Sequence, residues 1–140
     1  MFTSRDWALV TASIVKVQIL GTLLAGAQRA GRGLTPFEQS LAVPMIEVSD
    51  NNAATALYGY VGGAPAVASY DSSIGMTGST LVASWSVSTT TATDQLVLLN
   101  AFVNPNSVLS DAARAYGLAL LSRVDPGQVF GVSAGVAPGR

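Results

Sequence analysis

Apolar side chains recur along this chain at helical rather than strand spacing. From Ser13 to Arg29 they fall on nearly every face: Ile14, Val15, Val17, Ile19, Leu20, Leu23 and Leu24. Such a distribution predicts a helix buried on several sides, stopped by the glycines of Gly31-Arg32-Gly33. A second helix opens at Thr35-Pro36-Phe37-Glu38. There threonine can cap, proline suits the first turn and glutamate can complete a capping box. This helix carries Leu41, Met45 and Ile46 on one face and ends near Val48. Ser49-Asp50-Asn51 leads into a third, Asn52 to about Val61, halted by Gly62-Gly63; a fourth runs from Pro65 to about Ile74 and closes at Gly75.

Gly75 to Ser88 is rich in small and hydroxyl residues and reads as loop or short extended pieces. Thr91 and Asp94 form a capping pair for a fifth helix, about Ala92 to Val103, ended by Asn104-Pro105-Asn106. Ser110 caps a sixth, Asp111 to Val124, stopped by Asp125-Pro126-Gly127, and a Gly/Ala/Pro-rich tail follows from Val129 to Arg140. No repeat, linker or long strand pattern intervenes. The expected architecture is one mainly α domain over residues 1–140, with about six helices.

Composition narrows the chemistry more than the fold. Hydrophobic residues make up 49% of the 140 and charged residues 11%, with a net charge of −1. The apolar content suits a packed core, and the weak charge leaves no footprint for nucleic acid. Cys and His are both 0. Disulfides, thiolate nucleophiles, histidine bases and His- or Cys-ligated metals are therefore excluded, and no metal set or cofactor site can be assembled. The cations are six arginines and a single lysine, Lys16. The apolar run Val17 to Leu24 is too short to span a bilayer. With Ala25-Gly26-Ala27 it loosely resembles a secretory leader, but Asp6, Trp7 and Lys16 interrupt that pattern, so no convincing signal peptide is present.

Ser13 and Lys16 are spaced i, i+3 and share one helical face. At the start of a helix, Ser13 would lie among free backbone N–H groups that stabilise a developing oxyanion. Burial in that positive field would press the Lys16 ammonium toward its neutral, basic form. Each element also has a plain structural reading: serine is a common N-cap, and Ser49-Asp50-Asn51 is helix-start chemistry. Their joint occurrence, in this order, is what carries weight.

Thr11-Ala12-Ser13-Ile14-Val15-Lys16 resembles the S-x-x-K element of the penicillin-recognising serine hydrolases, and Ser49-Asp50-Asn51 resembles their S-D-N element. Gly62-Gly63 and the run Thr89 to Leu96 are similar to the same family in the same order. The likeness, to class A beta-lactamase-like hydrolases of the actinobacterial kind, extends from about Thr11 to Ala137. It implies the helical lobe of the beta-lactamase/DD-peptidase fold, its flanking β-sheet absent from this chain. It also implies a secreted or cell-envelope setting, and acylation by a β-lactam or a D-alanyl-D-alanine peptide. Ser13 would be the nucleophile, Lys16 its base, Ser49 a proton relay and Asn51 the partner of the substrate amide.

Two departures qualify the resemblance. With Lys16 the only lysine, the family's K-T-G or K-S-G element is missing, and the first strands have no counterpart before Ser13. Gly75 to Ser88 contains no Asp or Glu where class A enzymes hold the glutamate that activates water, although Trp85 sits near its neighbour's place. The expectation is therefore a partial serine hydrolase, inactive by itself, with self-association through an uncovered apolar face of the first helix. The alternative is a non-catalytic helical fragment or decayed homologue that packs with a partner. Glu38 and Glu47 read as a cap and a solvated face, Asp94 and Asp111 as first-turn acids, and Trp7, Trp85, Tyr58 and Tyr60 as packing residues.

Overall fold

The computed structural model describes residues 4–82 and 91–123, with side chains described from Val15 onward. Six helices follow one another: α1 Ser4–Arg29, α2 Pro36–Glu47, α3 Asn51–Val61, α4 Gly63–Ser73, α5 Ala92–Val103 and α6 Asp111–Ser122. No strand element occurs among the described residues. The expected mainly α architecture is what the chain adopts.

Helix α1 is the axis of the fold and packs against each of the other five helices. Every residue from Val15 to Ala25 is buried, which its all-round apolar pattern demands. The five neighbours cover the apolar faces of α1 over this stretch. One expectation is corrected here: the helix begins at Ser4, not at Ser13. No glycine or proline stands between Ser4 and Gly21, so nothing interrupts helix propagation through Trp7 to Ala12.

The remaining helices start on the chemistry read from the sequence. Thr35 caps α2 in a complete capping box: the Glu38 N–H donates to Thr35 Oγ1 at 3.1 Å and the Thr35 N–H to Glu38 Oε1 at 2.9 Å. Thr91 and Ser110 cap α5 and α6 through Asp94 N–H and Ala113 N–H. The third and fourth helices begin one and two residues earlier than expected, at Asn51 and Gly63, and the sixth ends at Ser122. Val124 and the tail lie outside the described residues.

Glu38 is more than a cap. Buried to 1% exposure, it accepts from Arg32 Nη1 at 2.8 Å and Nη2 at 3.1 Å, and from the Tyr60 hydroxyl at 2.9 Å. One carboxylate thus ties the α1–α2 turn to α3. The Arg32 guanidinium holds the Glu38 carboxyl well below the usual range, at about 2, against the opposing effect of burial. A carboxyl depressed from 4.5 stabilises the fold above that value and loses its contribution as pH falls toward 2. Glu38→Ala removes the reciprocal half of the capping box and takes a buried acceptor from Arg32, Tyr60 and the Thr35 N–H. It should lower stability by about 2–3 kcal/mol at neutral pH, measured by urea unfolding, and flatten the acid limb of the stability profile below about pH 4.5.

Candidate active site

Between α2 and α3 the chain reverses through Val48, Ser49 and Asp50. The Pro44 carbonyl accepts both the Val48 N–H at 3.2 Å and the Asp50 N–H at 3.1 Å, so one acceptor ties the end of α2 to the start of α3. Ser49 between them has φ 54°, the only non-glycine residue in the left-handed region among those described. That conformation costs on the order of 1–3 kcal/mol away from glycine and persists only where neighbouring structure enforces it. The two bonds to Pro44 do so. Asp50 then caps α3, its Oδ1 accepting the Ala53 N–H at 3.0 Å.

This turn meets α1. Lys16 Nζ donates to the Ser49 carbonyl at 3.0 Å, across 33 residues of chain. Lys16 is buried to 6% exposure. Burial pushes its ammonium below its ordinary value, and the nearby Asp50 charge works the other way. Lys16, Ser49 and Asp50 are therefore one cluster, and Asn51 stands exposed beside it as the first residue of α3.

Ser13 lies on α1 one turn before Lys16, and its side chain lies outside those described. Its backbone, however, is well inside the helix. There a backbone N–H is directed at the carbonyl four residues back. The free N–H groups expected around Ser13 belong instead to the helix start at Ser4.

The segment after α4 is held from two sides, by α5 and by α3. Buried Asp94 accepts from the Thr77 N–H at 3.1 Å, the Gly78 N–H at 2.7 Å and the Ser79 hydroxyl at 2.7 Å. The Tyr58 hydroxyl donates to the Val82 carbonyl at 2.6 Å. Tyr58 shares a face of α3 with Asn51 and Thr55 by i, i+4, i+7 spacing, so Val82 meets the face that Asn51 begins. Sequence reasoning took Asp94 as a first-turn acid and Tyr58 as packing, and missed both anchors. The only available signal was that a loop made of glycine, serine and threonine needs an acceptor for its N–H groups. Trp85 lies outside the described residues.

Two clefts lie toward the far end of α1. One, of about 440 Å³, is lined by Arg29, Arg32, Glu38 and Tyr60. The other, of about 620 Å³, is lined by Leu24, Gln28, Leu34 and Tyr116. Their polar groups are largely committed, Glu38 to Arg32 and Gln28 to the Val108 carbonyl and Ser110 N–H. Among the described residues no group of three acids could hold a metal ion, and no helix is long and apolar enough to cross a membrane.

The family model described as "Beta-lactamase2: Beta-lactamase enzyme family" matches residues 33–132, well over half of the chain. The chain belongs to the beta-lactamase enzyme family. The six helices of its described residues are the helical lobe of the beta-lactamase fold. No curated protein and no solved structure matches this beta-lactamase-family chain. The matched region includes Ser49, Asp50 and Asn51 and begins after Ser13 and Lys16.

The anchoring of the segment after α4 can be tested at Asp94. Asp94→Ala deprives three donors of a buried acceptor and should lower stability by about 2 kcal/mol. Faster amide exchange should be confined to residues 77–82, with α2 and the Ser49 turn keeping their protection. Uniform loss of protection across all helices would show that Asp94 supports the whole fold and not this segment.

Proposed function

We propose that this beta-lactamase-family chain supplies the helical half of a serine–lysine acyl-transfer site. The observation that carries the reading is the hydrogen bond from Lys16 Nζ to the Ser49 carbonyl, which joins the two sequence elements in space. Neutral Lys16 takes the proton from Ser13 Oγ as the oxygen attacks the carbonyl of a β-lactam or a D-alanyl-D-alanine peptide. The tetrahedral intermediate collapses with cleavage of the C–N bond. Ser49 passes a proton to the departing nitrogen, and Asn51 donates to the substrate amide. The depressed pKa of Lys16 supports the role of base, since only the neutral amine can accept a proton. Such substrates place the protein outside the cytoplasm or in the cell envelope.

Deacylation is the slow step in this reading. Gly75 to Ser88 offers no carboxylate to activate water, so the acyl-serine accumulates. The chain has one lysine and hence no K-T-G element, and this half alone is expected to be inactive.

One observation favours a non-catalytic reading. Because α1 runs unbroken through Ser13, the Ser13 N–H lies where helical pairing engages it, leaving no free donor for an oxyanion. On that reading the lobe is a packing domain for a partner that supplies the sheet.

The encoded protein that carries this lobe with a K-T-G or K-S-G strand should be labelled covalently by a reporter penicillin. Ser13→Ala should abolish the adduct while the melting curve is retained. An adduct mapped by mass spectrometry to another serine, or equal labelling of the Ser13→Ala protein, would favour the packing domain.

Lys16→Arg keeps the charge but cannot act as a base. It should slow acylation by on the order of 10²–10⁴-fold at neutral pH, the range that one positioned base contributes. Unchanged acylation by that variant would leave Lys16 as a structural anchor of the Ser49 turn.

A further inference from the structure

Two polar side chains meet in the core between α1 and α4, away from the Lys16 cluster. Gln18 is 1% exposed and Asp71 3%, and Gln18 Nε2 donates to Asp71 Oδ2 at 2.7 Å. The second polar atom of each group, Gln18 Oε1 and Asp71 Oδ1, is buried without a hydrogen-bond partner. An amide and a carboxyl are both planar, and each presents two polar atoms on one edge. They are joined here through one atom of each edge. One proton shared between the other two oxygens would give each of them a partner.

We infer that Asp71 is a carboxylic acid in the folded protein, its Oδ1–H donating to Gln18 Oε1, so that a two-point acid–amide pair latches α4 to α1 and opens on ionisation. The proton comes from solvent on folding and returns to solvent when the latch opens. Ionised, Asp71 would bury a charge whose Oδ1 faces an oxygen that offers only lone pairs.

The surroundings act in the same direction. Burial is the main influence on Asp71 and raises its carboxyl to about 7; the Gln18 hydrogen bond opposes this, and the negative charge of Asp94 adds to it. From α1 the facing group is the neutral Gln18. The titratable groups of α3 are Tyr58 and Tyr60, whose hydroxyls donate to the Val82 carbonyl and to Glu38. On α4 itself Tyr70 is buried, is likewise raised, and stays neutral near pH 7. No cation is among the groups that act on Asp71.

A carboxyl raised from 3.8 to about 7 stabilises the fold fully below the unfolded value, and its contribution is lost as pH rises through the folded value. The window therefore runs from about pH 4 to about pH 7, above that of Glu38. Asn is the permanent counterpart of the protonated acid: its carbonyl can accept from Gln18 Nε2 and its amide can donate to Gln18 Oε1. The unfolding constant of the wild-type chain, divided by that of Asp71→Asn, should rise on the order of fiftyfold between about pH 5 and pH 7, then level off. Amides at the end of α4 should lose protection in wild type over the same interval and keep it in the variant. The carboxyl ¹³C resonance of Asp71 in the unmutated protein needs no variant to fold; it should titrate near neutrality. A ratio independent of pH, or an Asp71 resonance that titrates in the ordinary carboxylate range, overturns the latch and leaves the two oxygens to a bridging water.

Discussion

From Val15 to Ala25 helix α1 is buried among five others, and it carries three polar residues, Lys16, Gln18 and Thr22, in that stretch. Each must therefore find a partner inside the protein, because an unpaired buried polar group costs more than its hydrogen bond would contribute. Lys16 finds the Ser49 carbonyl, Gln18 finds Asp71, and Thr22 turns back to the Gln18 carbonyl at 2.8 Å. The first two bonds fix α1 against different neighbours, one at the α2–α3 turn and one on α4. The apolar residues beside them, from Val15 to Leu24, give the helix its burial; the polar ones give it a register.

Glu38 and Asp71 show how partner chemistry decides what burial does to a carboxyl. Both are almost fully buried. Desolvation acts on each in the same direction, toward the neutral acid. At Glu38 a guanidinium, a backbone N–H and a phenol all donate, and the charged form wins. At Asp71 one neutral amide donates and the charge that acts on it is another carboxylate, and the neutral form wins. The two sites consequently respond to pH in opposite directions within one small helical lobe.

Features set by neighbours three or four residues apart were legible in the sequence. Thr35 with Glu38, Thr91 with Asp94, and Ser110 all cap where the spacing placed them, and the glycine stops at Gly31, Gly62 and Gly75 all have positive φ. The helix-start reading of Ser49-Asp50-Asn51 was also legible, because Asp50 caps α3 by local chemistry. Illegible were the pairings that cross the fold. Gln18 and Asp71 stand 53 residues apart, and nothing in the spacing of either marks the other. The onset of α1 was misplaced for a different reason. Ser13 has N-cap chemistry, but a capping residue starts a helix only where the preceding chain cannot continue one, and Ser4 to Ala12 contains no breaker.

The register of α1 also limits what the Lys16 cluster can do. One turn beyond Gln18, Gly21 admits the Tyr70 ring so closely that an added Cβ would lie 2.4 Å from the phenol. Sliding α1 past α4 would drive the ring into the bulkier Leu20 or Thr22 and part Gln18 from Asp71. Lys16 is thus held at its height on the helix by contacts further along it, and Ser49 is held by the two bonds that Pro44 accepts. The distance between them is therefore set by the packing of the helices, independently of anything that binds beside them. The described residues after α4 are fixed in the same way, by the hydrogen bonds to Asp94 and Tyr58.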